Sequence, residues 1–401
     1  MRPSDAILIG LDSGTSVVKA VAFDARGSAV ASASAPNTVD AHGGGAVEQD
    51  MESAWRAAAS VLRMLGGRLD EMGLVPSALA VTGQGDGTWL LRPDLSPAGP
   101  VPLWLDSRRA AAPPPADPAR AVGRILPAMV DGTRTSFPLT AGAARATGLR
   151  AGLPVVLAPV DYLATAIGAG VFATGIRAGC SVLGSAGMHL MLTRDPATAT
   201  RGVPCGYTVV FPREGTWLRM VSSMAASLNV DWFAGMLADV VEEASGVRPP
   251  RAAMLELLER RAAAAGPGSV LFHPYVSEAG ERGPFVDPLA RARFGGISAR
   301  TGAGEMMRAV LEGVAFAARD CYAAMEAPPC ELRVAGGAAR SATMRASLAA
   351  ALRAPVRRTR QEEAGALGAV AVAAVCIALD ESKVALGERD CLRVYCTQGD
   401  D

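Results

Sequence analysis

The segment Ile7 to Phe23, ILIGLDSGTSVVKAVAF, constrains this chain most: two apolar strands are joined by the turn Leu11-Asp12-Ser13-Gly14-Thr15-Ser16. Glycine and small hydroxyl residues at a strand turn let backbone N–H groups approach a phosphate, and an acidic side chain at the strand end can hold a hydrated divalent cation. The same residues also make ordinary hairpin turns, so the rest of the chain must decide. A second unit echoes the first: Cys180 to Leu183, the turn Gly184-Ser185-Ala186-Gly187, then His189 to Leu192. Two such turns in one chain suit two jaws around one nucleotide.

Between and after the hairpins, strands alternate with helices. An amphipathic helix is expected near Met51 to Leu65 and a strand at Ala78 to Val81, leading into Thr82-Gly83-Gln84-Gly85-Asp86-Gly87. Short strands are expected at Trp89 to Leu91 and Val101 to Leu105, and a longer one at Gly152 to Ala158. That strand runs into Asp161 and a small-residue helix, Tyr162 to Gly170. Two helical periods, Gly304 to Met325 and Ser341 to Leu352, flank a strand and the turn Gly336-Gly337. This alternation predicts mixed sheets with helices on their faces and ligand loops at strand ends. Ala364 to Leu379 is apolar on nearly every face yet shorter than a membrane span, which predicts a helix buried between layers.

Charge excludes some partners: lysine plus arginine and aspartate plus glutamate both number 39, so no net field recruits nucleic acid or an anionic membrane. Seven cysteines without a CxxC pair predict a reduced protein without structural zinc. The start, MRPSDAILIG, lacks a signal-peptide layout, so a cytoplasmic location is expected.

Phosphoryl transfer needs a phosphate cradle, a metal and a carboxylate that orients or deprotonates the accepting hydroxyl. LDSGTS, GQGDG, Asp161, GSAG and AGGAARS supply such parts at strand ends. At this point the chain resembles the FGGY carbohydrate kinases, ATP-dependent sugar and polyol kinases of the actin-like superfamily. Ala292, Phe294, Gly296 and Ile297, followed after seven residues by Glu305 and Met306 and then by Ala309 to Glu312, fit that family's C-terminal signature. Within the family, TGQGDGTWLL, LWLDSR, GSAGMHL, MVSSMAASLNVDWF and GERGPFVDPL resemble the erythritol kinases.

The resemblance implies an α/β fold of two actin-like (ribonuclease H-like) domains around a nucleotide cleft. The N-terminal domain is expected over 1–150, the C-terminal domain over 151–380, and a divergent tail over 381–401. It implies ATP and Mg2+ as cofactors. Asp12, Gly14, Thr15 and Ser16 match the first phosphate motif, with Asp12 holding magnesium through water. Gly184, Ser185, Ala186 and Gly187 match the second, and Gly336 and Gly337 the glycine pair under the adenosine. Gln84, Asp86 and Asp106 fall where substrate hydroxyl contacts are usual, and Asp161 matches the catalytic base, itself in contact with substrate.

Each role has a plainer competitor. Asp161 can cap a helix N-terminus, Gln84 and Asp86 can satisfy a glycine-rich turn, and Gly336-Gly337 can be an ordinary strand-to-helix turn. Lys19 is either near the phosphates or solvated, and His189 and His273 are expected to pack or to face solvent.

Only 52 residues separate Arg108 from Asp161, with prolines through Ala110 to Ala121, where family members carry a much longer segment. The first domain is therefore expected to be truncated near 109–125. The expected function is ATP-dependent phosphorylation of a small polyol or sugar, erythritol first. The alternative is a catalytically impaired nucleotide-binding pseudokinase or gene remnant, and an actin-like ATPase with a protein client is a third reading. The expected partner is a small molecule, with no nucleic acid and no membrane; oligomeric state is open, a homodimer among the options.

Overall fold

The structure is a computed structural model describing residues 6–42, 45–85, 87, 89–103, 106, 108, 130–132, 134–171, 177–195, 197, 205–212, 214–325, 328–359 and 363–380. Asp86, the segment 109–125 and the tail 381–401 lie outside the described residues.

The opening segment forms the expected hairpin: β1 (Ile7–Ser13) pairs antiparallel with β2 (Val17–Phe23), with Asp12 opposite Lys19. β3 (Ala29–Pro36) extends it, and β4 (Asp40–His42) and β5 (Ala46–Gln49) begin a small separate sheet. α1 (Met51–Glu71) runs further than its apolar period suggested. Asp50 caps it by accepting the Ser53 N–H at 2.8 Å. β6 (Pro76–Gly83) lies parallel to β1, and β7 (Val101–Pro102) completes the small sheet. β8 (Ser136–Pro138), α2 (Ala141–Thr147), β9 (Pro154–Leu157) and α3 (Asp161–Gly168) follow. The expected strand at Trp89 reduces to a single bridge between Leu91 and Pro97.

Strand alternation sorts β1 onto two faces. Ile7, Ile9 and Leu11 join Val18, Ala20 and Ala22 in a core with Leu62, Leu65 and Leu69 of α1, each buried leucine contributing about 2 kcal/mol. The sheet order is β3-β2-β1-β6-β9-β8.

The second hairpin is β10 (Ala178–Leu183) with β11 (Gly187–Thr193), followed by β12 (Tyr207–Val210) and β13 (Trp217–Ser223). α4 (Ser227–Ser245), α5 (Arg251–Ala264), β14 (Leu271–His273), β15 (Arg293–Gly295) and α6 (Ala303–Ala324) come next. β16 (Glu331–Ala335), α7 (Ala342–Leu352) and β17 (Val356–Arg358) complete this unit. Its sheet order is β12-β13-β11-β10-β16-β17. The stretch β13-β11-β10-β16-β17 repeats β3-β2-β1-β6-β9, with two antiparallel and then two parallel pairings. The echo in sequence is thus an echo in topology.

The last described element, α8 (Ala364–Asp380), is the buried apolar helix the sequence predicted, and it packs against α3, β1 and β6. The compact units are therefore residues 1–168 with the chain from Glu363, and residues 169–362. This moves the expected boundary at 150 to 168. β9 adds to the first sheet through parallel pairing with β6, carrying α3 and Asp161 with it. The segment from Glu363 to Asp380 packs with the first compact unit.

α3 and α8 meet at backbone distance. A Cβ on Gly168 would lie 1.9 Å from the Ala364 carbonyl oxygen, and one on Gly368 1.8 Å from that of Ala164. Gly368→Ala must push the helices apart and should destabilise the protein by roughly 1–3 kcal/mol. Gly67→Ala, in the exposed interior of α1 with open space around it, should be neutral or stabilising by about 1 kcal/mol. Urea unfolding midpoints check both; equal midpoints would contradict the packing argument.

Candidate active site

In the first unit the parallel strands β1, β6 and β9 point their C-terminal ends to one side of the sheet, the side where α/β folds bind ligands. Asp12 ends β1, Gln84 follows β6, and Asp161 opens α3 just after β9. A cavity of about 280 Å3 lies at these ends, lined in part by Ser13, Thr82, Gln84, Trp89 and Val160.

Asp12 faces α8. Its Oδ1 is buried without a hydrogen-bond partner, and a Cβ on Gly365 would lie 2.3 Å from its Oδ2. Burial first, then the charges of Asp161 and Glu363, push its carboxyl up to about 7, against the opposing pull of Lys19. Lys19 Nζ donates to both oxygens of Glu363 at 3.0 Å, so it is neither free nor simply solvated. Asp161, the first residue of α3, accepts the N–H of its neighbour Tyr162 at 2.6 Å, while the Val160 carbonyl accepts the Leu163 and Ala164 N–H groups.

The turn after β1 is tied to the residues around it. Gly14 N–H donates to Val17 O at 3.1 Å, and Asn37 donates to Gly14 O at 2.7 Å. The Thr15 hydroxyl donates to Gln84 Oε1 at 2.8 Å, and Gln84 Nε2 donates to Gln49 Oε1 at 2.7 Å. Gln84 thus links the first phosphate motif to the GQGDG loop. Ser16 is exposed at the tip of the turn. Asp106 is engaged differently: its carboxylate accepts from the Val47 N–H at 3.1 Å and from Arg108 Nε at 3.0 Å to each oxygen. The Arg108 guanidinium holds this carboxyl well below the usual range and also pairs with Glu48. Asp106 therefore fixes the Arg108 side chain, whose guanidinium is shared between Asp106 and Glu48.

In the second unit, Gly184–Gly187 closes β10 onto β11. The N–H groups of Ser227 and Leu228, at the start of α4, donate to Gly184 O at 2.9 Å and Ser185 O at 3.3 Å. Ala186 lies within the turn so held. Gly336, at φ 89°, packs on the root of the same turn: a Cβ there would be 2.6 Å from Leu183 O. Gly337 has no described atom within 4 Å of its Cβ position, so a side chain there would meet open space. Gly184–Gly187 and Gly336-Gly337 are thus brought together in one unit, while Asp12, Gln84 and Asp161 are brought together in the other. Sequence reasoning missed Glu363, Arg108 and the wall position of Trp89. The charge pattern of Lys19, with one lysine beside a phosphate-type turn, was the only signal toward Glu363.

Two hairpin turns thus sit on two sheets of repeated topology, each beside a pair of parallel strands. Residues 7–113 match the N-terminal domain of the FGGY family of carbohydrate kinases, and residues 179–377 match its C-terminal domain. The erythritol kinase of Brucella abortus (strain 2308) is 37% identical over 462 residues, covering 94% of this chain and 88% of that protein. The solved xylulose kinase from Rhodospirillum rubrum matches at a TM-score of 0.75 with 23% identity, over 97% of this chain and 92% of that one. The Plasmodium falciparum glycerol kinase structure with ADP matches at 0.74 with 13% identity, over 99% and 93%; at these identities both speak to the fold alone. The chain belongs to the FGGY family of carbohydrate kinases. It is accordingly an ATP-dependent kinase of sugars or polyols with an actin-like fold. No described helix is long and apolar enough to cross a membrane.

The raised Asp12 carboxyl has a signed consequence. A carboxyl whose folded value lies above the 3.8 of the free group stabilises the fold by holding a proton; that contribution is complete below pH 3.8 and is lost as pH rises through about 7. The unliganded protein should lose stability between about pH 4 and about pH 7, and Asp12→Asn should remove roughly 2–4 kcal/mol of that loss. Urea midpoints across this range measure it; parallel pH curves for both proteins would contradict the burial of Asp12.

Proposed function

We propose that this chain is a polyol kinase that transfers the γ-phosphoryl group of Mg–ATP to a terminal hydroxyl of erythritol or a closely similar polyol, with Asp161 as general base. The observation that carries the reading is the convergence of Asp12, Gln84 and Asp161 on the C-terminal ends of three adjacent parallel strands, beside one cavity. The erythritol kinase relative supports the choice of acceptor.

Asp161 accepts the proton of the attacking hydroxyl, and Gln84 and Arg108 orient the polyol. Asp86 belongs to the same loop by sequence, and Asp106 acts by fixing Arg108. The amides of Gly14 to Ser16 and Gly184 to Gly187 receive phosphate oxygens, and Gly336 and Gly337 give the adenosine a side-chain-free surface. Among the described residues, no cluster of three or more His, Cys, Asp or Glu could cage a metal ion. A single buried carboxylate oxygen without a partner, as on Asp12, suits a cation that keeps most of its water. Magnesium bound there would supply charge neutralisation of the phosphates.

A second reading has its own observation. The 462-residue alignment to the Brucella enzyme is longer than this 401-residue chain, so that relative carries residues within the aligned span that this chain lacks. Loss from the substrate half of the site would leave a nucleotide-binding protein without transfer.

A coupled ADP-release assay against erythritol, other tetritols, pentitols, ketopentoses and glycerol, with a thermal-shift titration of Mg–ATP, separates the two. Turnover with a tetritol supports the kinase, whereas stabilisation by Mg–ATP without turnover on any acceptor supports the second reading. In the active protein, Asp161→Asn should lower kcat at least about 100-fold while leaving Mg–ATP binding within about twofold. Unchanged turnover would remove Asp161 from the role of base.

A further inference from the structure

Behind Gly184–Gly187 the second sheet buries a line of polar groups that the proposed phosphoryl transfer does not use. Ser181 on β10 and His189 on β11 face each other in register. The Ser181 hydroxyl lies 2.9 Å from His189 Nδ1 and 3.1 Å from the Tyr322 hydroxyl of α6. The Tyr322 hydroxyl also donates to Leu190 O at 3.4 Å, and its ring meets the imidazole edge-on at 5.7 Å. All three side chains are fully buried. Burial pulls His189 down to about 4, so the ring is neutral near pH 7 and carries one donor and one acceptor. With the one Tyr322 proton given to Leu190 O, Ser181 donates to the Tyr322 oxygen and accepts from His189 Nδ1–H, which leaves the ring's lone pair on Nε2.

That nitrogen is buried without a hydrogen-bond partner. It points at the last residue of the turn: a Cβ on Gly187 would lie 2.9 Å from His189 Nε2 and 3.0 Å from the hydroxyl of Ser223, its register partner on β13. Phenylalanine or leucine at 189 would fill this space without stranding a polar ring atom, so packing alone gives no reason for an imidazole.

We infer that His189 is the positioning residue of the second phosphate turn, a neutral imidazole fixed by Ser181 and Tyr322 that braces Gly187 and keeps the turn's amides aimed at nucleotide phosphate. The inference rests on the reading of Gly184–Gly187 as a phosphate site. It implies that the contribution of His189 is felt by the phosphates and not by the adenosine or the polyol.

Calorimetry on the full chain with Mg–ADP and, separately, with adenosine tests this, alongside kcat and KM for ATP and polyol and amide exchange at residues 184–187. His189→Phe should weaken Mg–ADP and raise the KM for ATP about tenfold. Adenosine affinity and the KM for polyol should stay within about twofold, and exchange at the turn should quicken. His189→Gln, which restores a polar group at the same reach, should recover most of the affinity. A folded His189→Phe protein that binds Mg–ADP like the wild type, or loses adenosine and ADP equally, overturns the inference. If His189→Phe does not fold, Ser181→Ala decides: weaker Mg–ADP binding with adenosine unaffected supports it, and unchanged binding overturns it. A wild-type chain that binds no Mg–ADP fails at the nucleotide reading itself, whereas wild-type binding that both variants leave unchanged fails only the role of His189.

Discussion

Asp12 lies beneath α8 because strand alternation leaves it no other place, and much of the first unit follows from that burial. With Ile7, Ile9 and Leu11 committed to the α1 face, the remaining residues of β1 face the helix that covers the other side. A carboxylate there loses hydration, and Asp161 and Glu363 add repulsion. The neighbours accommodate it: Gly365 leaves room for the carboxyl group, and Lys19, opposite Asp12 across the hairpin, supplies a cation held by Glu363. The run from Glu363 to Gly368 thus answers two demands at once, the electrostatics of the strand end and the close approach of α8 to α3.

The two units solve one problem with different chemistry. Each places a hairpin turn in the middle of its sheet, flanked by an antiparallel strand and two parallel ones. In the first, the cross-strand pair beside the turn is charged, Asp12 with Lys19. In the second it is a neutral hydrogen-bonded pair, Ser181 with His189, with no charge to compensate.

What the sequence made legible was local. Alternating apolar residues and Gly-Ser-Thr turns located both hairpins, α1 and the apolar α8, and the C-terminal signature placed the family. Glu363 was not legible, because its partner Lys19 lies 344 residues earlier and nothing short-range marks the pair. The boundary at 168 was hidden for the same reason: β9 looks like the start of a new domain until its pairing with β6 is known. Asp106 read as a free polar contact, but Val47 and Arg108, reached only through the fold, occupy its oxygens. His189 looked like ordinary packing because its three polar neighbours come from two strands and a helix.

The first unit is also discontinuous, closed by a helix that follows the whole of residues 169–362. On a ribosome, the second unit has its full complement of strands while the first still lacks the layer over Leu8, Gly10 and Asp12. Until α8 emerges, that face of the sheet is apolar surface with a carboxylate in it, open to water and to other chains. Vectorial synthesis therefore completes the N-terminal half of this protein last, and a nascent chain stalled short of Glu363 would display the C-terminal end of β1 uncovered.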